Sequence, residues 1–113
     1  MPEKEKIILL NSTGLGSGDH TLGELIMANF LRLLPDQPNR PTKLICWNAA
    51  VKLLIADSQV LNHLKKIESV GIEIIACRTC VEFFGIESQI AVGKISTMQI
   101  IQNLLLDNEV VTG

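Results

Sequence analysis

The sequence has no tyrosine, one tryptophan and three phenylalanines, so aromatics make up only 4% of its 113 residues. Any core must be built from aliphatic side chains, and the 47% hydrophobic content is mostly Ile, Leu, Val and Ala. Charge is also scarce, at 19%, with ten Lys and Arg against twelve Asp and Glu and a formal net charge of -2. No basic stripe is present to neutralise phosphates, which excludes nucleic acid as a partner. The Lys4–Lys6 segment alternates with Glu and reads as a solvated start. No apolar run approaches the ~18 residues of a membrane span, and no basic region followed by an apolar stretch marks a signal peptide. The expectation is a cytoplasmic protein with no membrane contact. Histidine and cysteine are too few for a zinc centre. One C-x-x-C exists without a second pair, and His20 and His63 lie far apart in sequence. Three cysteines in a reducing compartment are packed, catalytic or metal-bound rather than structural bridges.

What is present is enough for one domain over residues 1–113, with aliphatic residues suited to buried parallel strands. Lys6–Asn11 reads as a first strand, followed by a polar loop over Ser12–Gly18 with glycines at 14, 16 and 18. Asp19 can cap the helix that begins there and runs to Leu34, before Pro35. Leu22, Leu25, Ile26, Phe30 and Leu33 share one face of it, and Met27, Leu31 and Leu34 widen the apolar surface. Thr42–Trp47 is a second strand, and Asn48 can cap a short helix through Ile55. Asp57 or Ser58 caps the next helix, with Val60, Leu61, Leu64 and Ile67 facing inward and Gly71 as its left-handed stop. The third strand holds Ile72, Ile74 and Ile75. Val92–Ile95 is a short fourth strand, Ser96 with Gln99 forms a capping box for a helix over Thr97–Leu106, and Glu109–Thr112 is a fifth strand. Strands alternating with helices give an α/β sandwich with a mostly parallel sheet. The high apolar fraction also points to surface buried between subunits of a homo-oligomer.

The segment from Gly71 to Gly85 carries the chemistry. Cys77 falls at the carboxyl end of the third strand, the edge where open α/β sheets gather their ligands. Cys80 falls in the first turn of the following helix, which Gly85 closes. Residues three apart on a helix bring their Cβ atoms within ~5–6 Å, and a helix start favours a thiolate. Arg78 adds a positive charge between them. Asp19, His20 and Asn48 follow the first and second strands at the same edge, so they can line one crevice with the two cysteines. There His20 reads either as a proton carrier or as a solvated surface histidine. His63 reads as surface and Cys46 as core. The glycine loop reads G-x-G-x-G without the dinucleotide spacing or the P-loop lysine, so it is a tight turn whose glycines permit close packing. The bland alternatives remain open: both cysteines buried in a non-catalytic binding module, or a dithiol redox switch.

Taken together, Gly14-Leu-Gly-Ser-Gly-Asp19 with Leu22-Gly23, Asn48 with Val51-Lys52-Leu53, Val70-Gly71-Ile72-Glu73-Ile74, Ala76-Cys77-Arg-Thr-Cys80 running to Phe84-Gly85, and Ala91-Val92-Gly93 resemble the DsrE/DsrF/TusD group of sulfur-relay proteins. The likeness covers roughly residues 6 to 112. It is nearest to the C-terminal domain of YedF-type selenium-metabolism proteins. The resemblance implies a three-layer α/β/α sandwich with a five-stranded sheet in a homo-oligomer. It also implies a carrier of sulfur or selenium as a cysteine persulfide between donor and acceptor proteins. On that pattern Cys77 is the carrier and Cys80 its assistant. No cofactor is expected, because thiolate exchange needs none. YedF-type proteins add a TusA-like domain with a Cys-Pro motif; this sequence holds none, so on the resemblance either a separate protein, such as a TusA-like one, supplies the chalcogen, or the chain does something else. Arg78 stands where the family pattern would place a small residue.

Overall fold

The computed structural model describes residues 5–113, so Lys4 and the residues before it lie outside the described residues. Lys6–Leu10 (β1), Lys43–Cys46 (β2), Glu73–Cys77 (β3), Lys94–Ser96 (β4) and Glu109–Thr112 (β5) form one sheet in the order β4-β3-β2-β1-β5. Every pairing is parallel, so the sheet expected to be mostly parallel is wholly so. The helices are His20–Leu33 (α1), Leu61–Ser69 (α2), Arg78–Phe84 (α3) and Met98–Asp107 (α4). Short 3₁₀ segments cover Leu34–Asp36, Asn48–Leu54 and Glu87–Gln89.

The strand order explains the layers. From β1 to β4 the chain steps steadily toward one edge, and right-handed crossovers put those connections on one face. The step from β4 to β5 runs back across the sheet, so α4 covers the other face. Strand residues alternate accordingly. Ile8, Leu10, Leu44, Cys46, Ile74 and Ala76 pack with Met27, Leu31, Leu64 and Ile67. Ile7, Leu9, Ile45, Ile75 and Cys77 pack with Ile101 of α4. The result is the expected three-layer α/β/α sandwich.

Glycine contact decides how α1 is turned. A Cβ on Gly14 would lie 2.9 Å from the Gly23 carbonyl carbon, and the Leu15 N–H donates to the Gly23 carbonyl at 3.0 Å. That close approach turns Gly23, Met27 and Leu31 inward. Leu22, Leu25, Ile26 and Leu33 are left 53%, 60%, 42% and 47% exposed. The larger of the two apolar rows read from the sequence is therefore the outer one.

Three helix starts differ from expectation. Ser58 accepts from the Val60 N–H at 3.3 Å but stands before α2, whose N-cap Val60 has no side-chain bond. Thr97, not Ser96, caps α4 by accepting from Ile100 N–H, so Gln99 is out of register for a capping box. Ser96 instead ends β4, where it is buried. Asn48 opens its 3₁₀ segment in the left-handed region (φ 51°) and caps nothing with its side chain.

At the amino edge of the sheet, Lys43 lies 3.3 Å from Glu5 and 4.0 Å from Glu73, and Glu73 lies 2.9 Å from Lys94. These exposed pairs contribute at most about 1 kcal/mol each. A shallow cleft of about 310 Å³ beside Glu68, Glu73, Gly93 and Lys94 is lined by no thiol, hydroxyl or imidazole.

Candidate active site at the carboxyl edge

The thiols gather at the opposite edge, where β2 and β3 end side by side. Cys46 pairs in register with Ala76, and Cys77 follows Ala76 as the last residue of β3. Cys77 has extended geometry (φ -68°, ψ 123°) and is the N-cap of α3, which makes Cys80 the third helical residue. N-cap and third residue are the two positions at a helix start whose side chains lie over each other's backbone N–H. Cys80 packs against the apolar cluster that holds Cys77, close enough for the Cys77 thiol to act on the Cys80 pKa. Their burial differs sharply. Cys77 is 0% exposed, whereas Cys80 is partly exposed. Cys80 lines a pocket of about 280 Å³ with Asn48, Thr79, Phe83 and Phe84, and Cys77 does not.

Asn48 connects the two strand ends. Its backbone N–H donates to Cys80 Sγ at 3.0 Å. Burial raises the Cys80 pKa above the ordinary 9.0, the Asn48 amide opposes that shift, and the adjoining Cys77 thiol adds to it. The balance lies upward, against the expectation of a thiol acidified by the helix start. Loss of hydration outweighs one amide donor.

The crevice expected to hold all the candidate residues is divided. Asp19 accepts from Leu22 N–H at 2.8 Å, as a helix cap should. His20 is solvated, 3.6 Å from Glu24. Both line a separate pocket of about 190 Å³ with Gly14, Gly16, Gly18 and Gly23. Only Asn48 of the supporting set reaches the cysteines. Arg78 is exposed and does not line the cysteine pocket. Cys46 is fully buried, and desolvation pushes its pKa up to about 12. His63 is half-buried on α2. Among the described residues, no three His, Cys, Asp or Glu side chains converge to hold a metal ion.

No protein-family model and no curated protein matches the chain. Solved structures do. The chain superposes on the ychN protein from E. coli with a TM-score of 0.73 at 17% identity, covering 97% of this chain and 99% of that one. MTH1491 from Methanobacterium thermoautotrophicum, a protein of unknown function, gives 0.70 at 12% identity with 98% and 100% covered. BT1422 from Bacteroides thetaiotaomicron, a conserved protein of unknown function, gives 0.67 at 22% identity with 96% and 95% covered. The fold is DsrE-like. At these identities the likeness is one of fold alone.

On this DsrE-like frame the cysteines sit at the β2/β3 junction, not at the topological switch between β1 and β5. That switch is closed by the chain itself. Asn11 N–H donates to the Gly113 carbonyl at 3.3 Å, and the Gly113 N–H donates to Leu9 at 3.0 Å. The sequence reading missed the aromatic wall. Phe83 is 83% exposed, and its ring meets Phe84 edge-on with centroids 5.3 Å apart. Lys52 Nζ stands 4.3 Å over the Phe84 ring, a contact that holds the ring in place. The signal was available: residues 83 and 84 are three and four after Cys80, hence on its side of the helix.

Proposed function

We propose that the chain is a chalcogen carrier whose carrying residue is Cys80, with Cys77 as the inner thiol. The observation that carries this reading is the placement of Cys80 Sγ: it opens into a pocket walled by phenylalanine and accepts the Asn48 amide proton. The Cys80 thiolate attacks the outer sulfur of a donor persulfide. A new S–S bond forms at Cys80, the donor's S–S bond breaks, and the donor leaves as thiolate. The Cys80 proton is lost to solvent before attack. An acceptor thiolate later takes the outer sulfur by the same step, with Cys80 as leaving group. Selenium in the outer position follows the same route. A thiol of raised pKa is a poor leaving group, so transfer of the outer sulfur from Cys80 to stray thiols is slow.

The donor and acceptor are protein thiols of a reducing cytoplasm, a TusA-like protein among them by family resemblance. Copies of the chain associate through the outer face of α1, where Leu22, Leu25, Ile26 and Leu33 are exposed. Antiparallel pairing of two such helices opposes Leu22 to Leu33 and brings Glu24 of each copy near Arg32 of the other, so the face is self-complementary.

The test is sulfur loading. Incubation with a persulfide donor should add one sulfur by intact mass, peptide mapping should place it on Cys80, and Cys80→Ser should take up none. If the unmodified protein gains no sulfur while Cys80 remains open to alkylation, the carrier reading fails.

A further inference from the structure

Cys77 is a fully buried thiol three residues before Cys80, which packs against the cluster that holds it. Its exposure is zero, it packs on the α4 face with Ile75 and Ile101, and it does not line the pocket at Cys80. No external donor or acceptor reaches it. We propose that Cys77 discharges the Cys80 persulfide internally, releasing hydrosulfide and forming a Cys77–Cys80 disulfide, so that cargo not collected by an acceptor is shed and the carrier is switched off. This rests on the carrier reading of Cys80.

Geometry selects which sulfur Cys77 attacks. Cys80 packs against the apolar cluster that holds Cys77, and its Sγ becomes the inner sulfur of the persulfide. The outer sulfur extends the other way, into the pocket beside Thr79, Phe83 and Phe84. Attack on the inner sulfur by the Cys77 thiolate forms the Cys77–Cys80 bond and breaks the bond to the outer sulfur, which departs with that electron pair as hydrosulfide. Cys77 is oxidised from thiol to disulfide, the outer sulfur is reduced to sulfide, and the Cys77 proton leaves with it as hydrogen sulfide. No outside oxidant enters. Residues three apart at a helix start have Cβ atoms ~5–6 Å apart, so a small shift brings them to the ~3.5–4.5 Å a disulfide needs. Two electrons from an external dithiol restore the pair, with its two thiols becoming a disulfide.

Burial gives the order of events. A persulfide exchange with a partner requires an accessible sulfur, and of the two only Cys80 has one. The inner thiol competes with the acceptor, so an acceptor seated in the aromatic pocket decides between transfer and release.

The experiment loads the full chain at Cys80, removes the donor, and follows it without acceptor or reductant. The unmodified protein should lose its added sulfur, liberate one equivalent of sulfide, and end two hydrogens lighter than the reduced chain, with Cys77 and Cys80 joined in the peptide map. Cys77→Ala should still take up one sulfur at Cys80, at whatever rate, yet release sulfide slower by about tenfold or more, since the nearby thiolate is gone. Cys77→Ser is the second variant, should the alanine leave the fold too loose to load. Equal sulfide release from a loaded variant and the unmodified chain overturns the proposal, as does a loaded unmodified chain that keeps its sulfur. If neither variant folds, the peptide map of the unmodified chain decides: sulfide release without a Cys77–Cys80 disulfide overturns it. Failure of the carrier reading looks different, because the unmodified chain would then never load.

Discussion

The Asn48 N–H donates to Cys80 Sγ at 3.0 Å, and it does so from a left-handed backbone with φ 51°. A strand end on β2 thus fixes a sulfur that follows β3. Asparagine tolerates this conformation better than most residues, and glycine tolerates it best. Asn48→Gly should leave the melting temperature and the Cys80 alkylation rate close to their starting values. Asn48→Val should cost about 1–2 kcal/mol by denaturant unfolding and should push the Cys80 titration further upward, because the strained turn moves the amide off the sulfur. Equal behaviour of the two variants would refute the link between turn and thiol.

Thiol reactivity should rise late with pH. Burial and Cys77 raise the Cys80 pKa above 9.0, with the Asn48 amide only opposing them. Alkylation of Cys80 should reach half its maximal rate above pH 9, and a half-point near neutrality would contradict the environment described here. Cys46, fully buried, should stay unlabelled until the protein is unfolded.

Cys46 also makes the fold alkali-sensitive. Its pKa is raised by burial from 9.0 to about 12, so the folded state holds a proton that the unfolded state has lost between those values. The stabilising difference is complete below pH 9 and is lost as pH rises toward 12, at a slope of roughly 1.4 kcal/mol per pH unit. Cys46→Ala should flatten that part of the stability profile, whatever it costs at neutral pH. Denaturant midpoints measured across this window check it.

Much of this was written in the sequence. Among the described residues the five strands and four α-helices follow from apolar runs, prolines and glycines, while the short helix expected through Ile55 is a 3₁₀ segment; Asp19 and Gly85 act as read: one caps α1, the other ends α3 at φ 66°. What local pattern could not show was how elements meet. The rotation of α1 depends on Gly14 touching Gly23, nine residues apart, and a hydrophobic period does not encode that contact. The exposure of Cys80 and burial of Cys77 depend on α3 and the Asn48 turn meeting over two neighbouring strands. His20 and Asp19 share the carboxyl edge with the cysteines, but a strand order that seats β1 next to β2 does not bring their loop into the β3 pocket. Thr97 displaced Ser96 as a cap because β4 extends one residue further than its apolar run.

Gly85→Val isolates a backbone cost. At φ 66° a β-branched residue is strained, yet a Cβ there meets nothing within 4 Å. The expected loss is therefore conformational alone, about 1–2 kcal/mol, read as a lower melting temperature. Gly85→Asn should recover part of it. An unchanged melting temperature for the valine variant would refute the left-handed stop.

Phe83 separates docking from folding. Its ring is 83% exposed, so removing it deletes little buried area, and Phe83→Ala should shift stability by under about 0.5 kcal/mol. The same ring walls the pocket into which the outer sulfur of a Cys80 persulfide projects. Loading from a small persulfide donor needs no wall, whereas transfer to a protein acceptor needs a seat beside the sulfur. Phe83→Ala should therefore load at a near-normal rate and transfer to a protein thiol about tenfold more slowly, as loss of one exposed aromatic anchor worth about 1.4 kcal/mol predicts. Equal loss in both steps would place Phe83 in the chemistry of Cys80 rather than in partner binding, and no loss in either would leave the aromatic wall without a role.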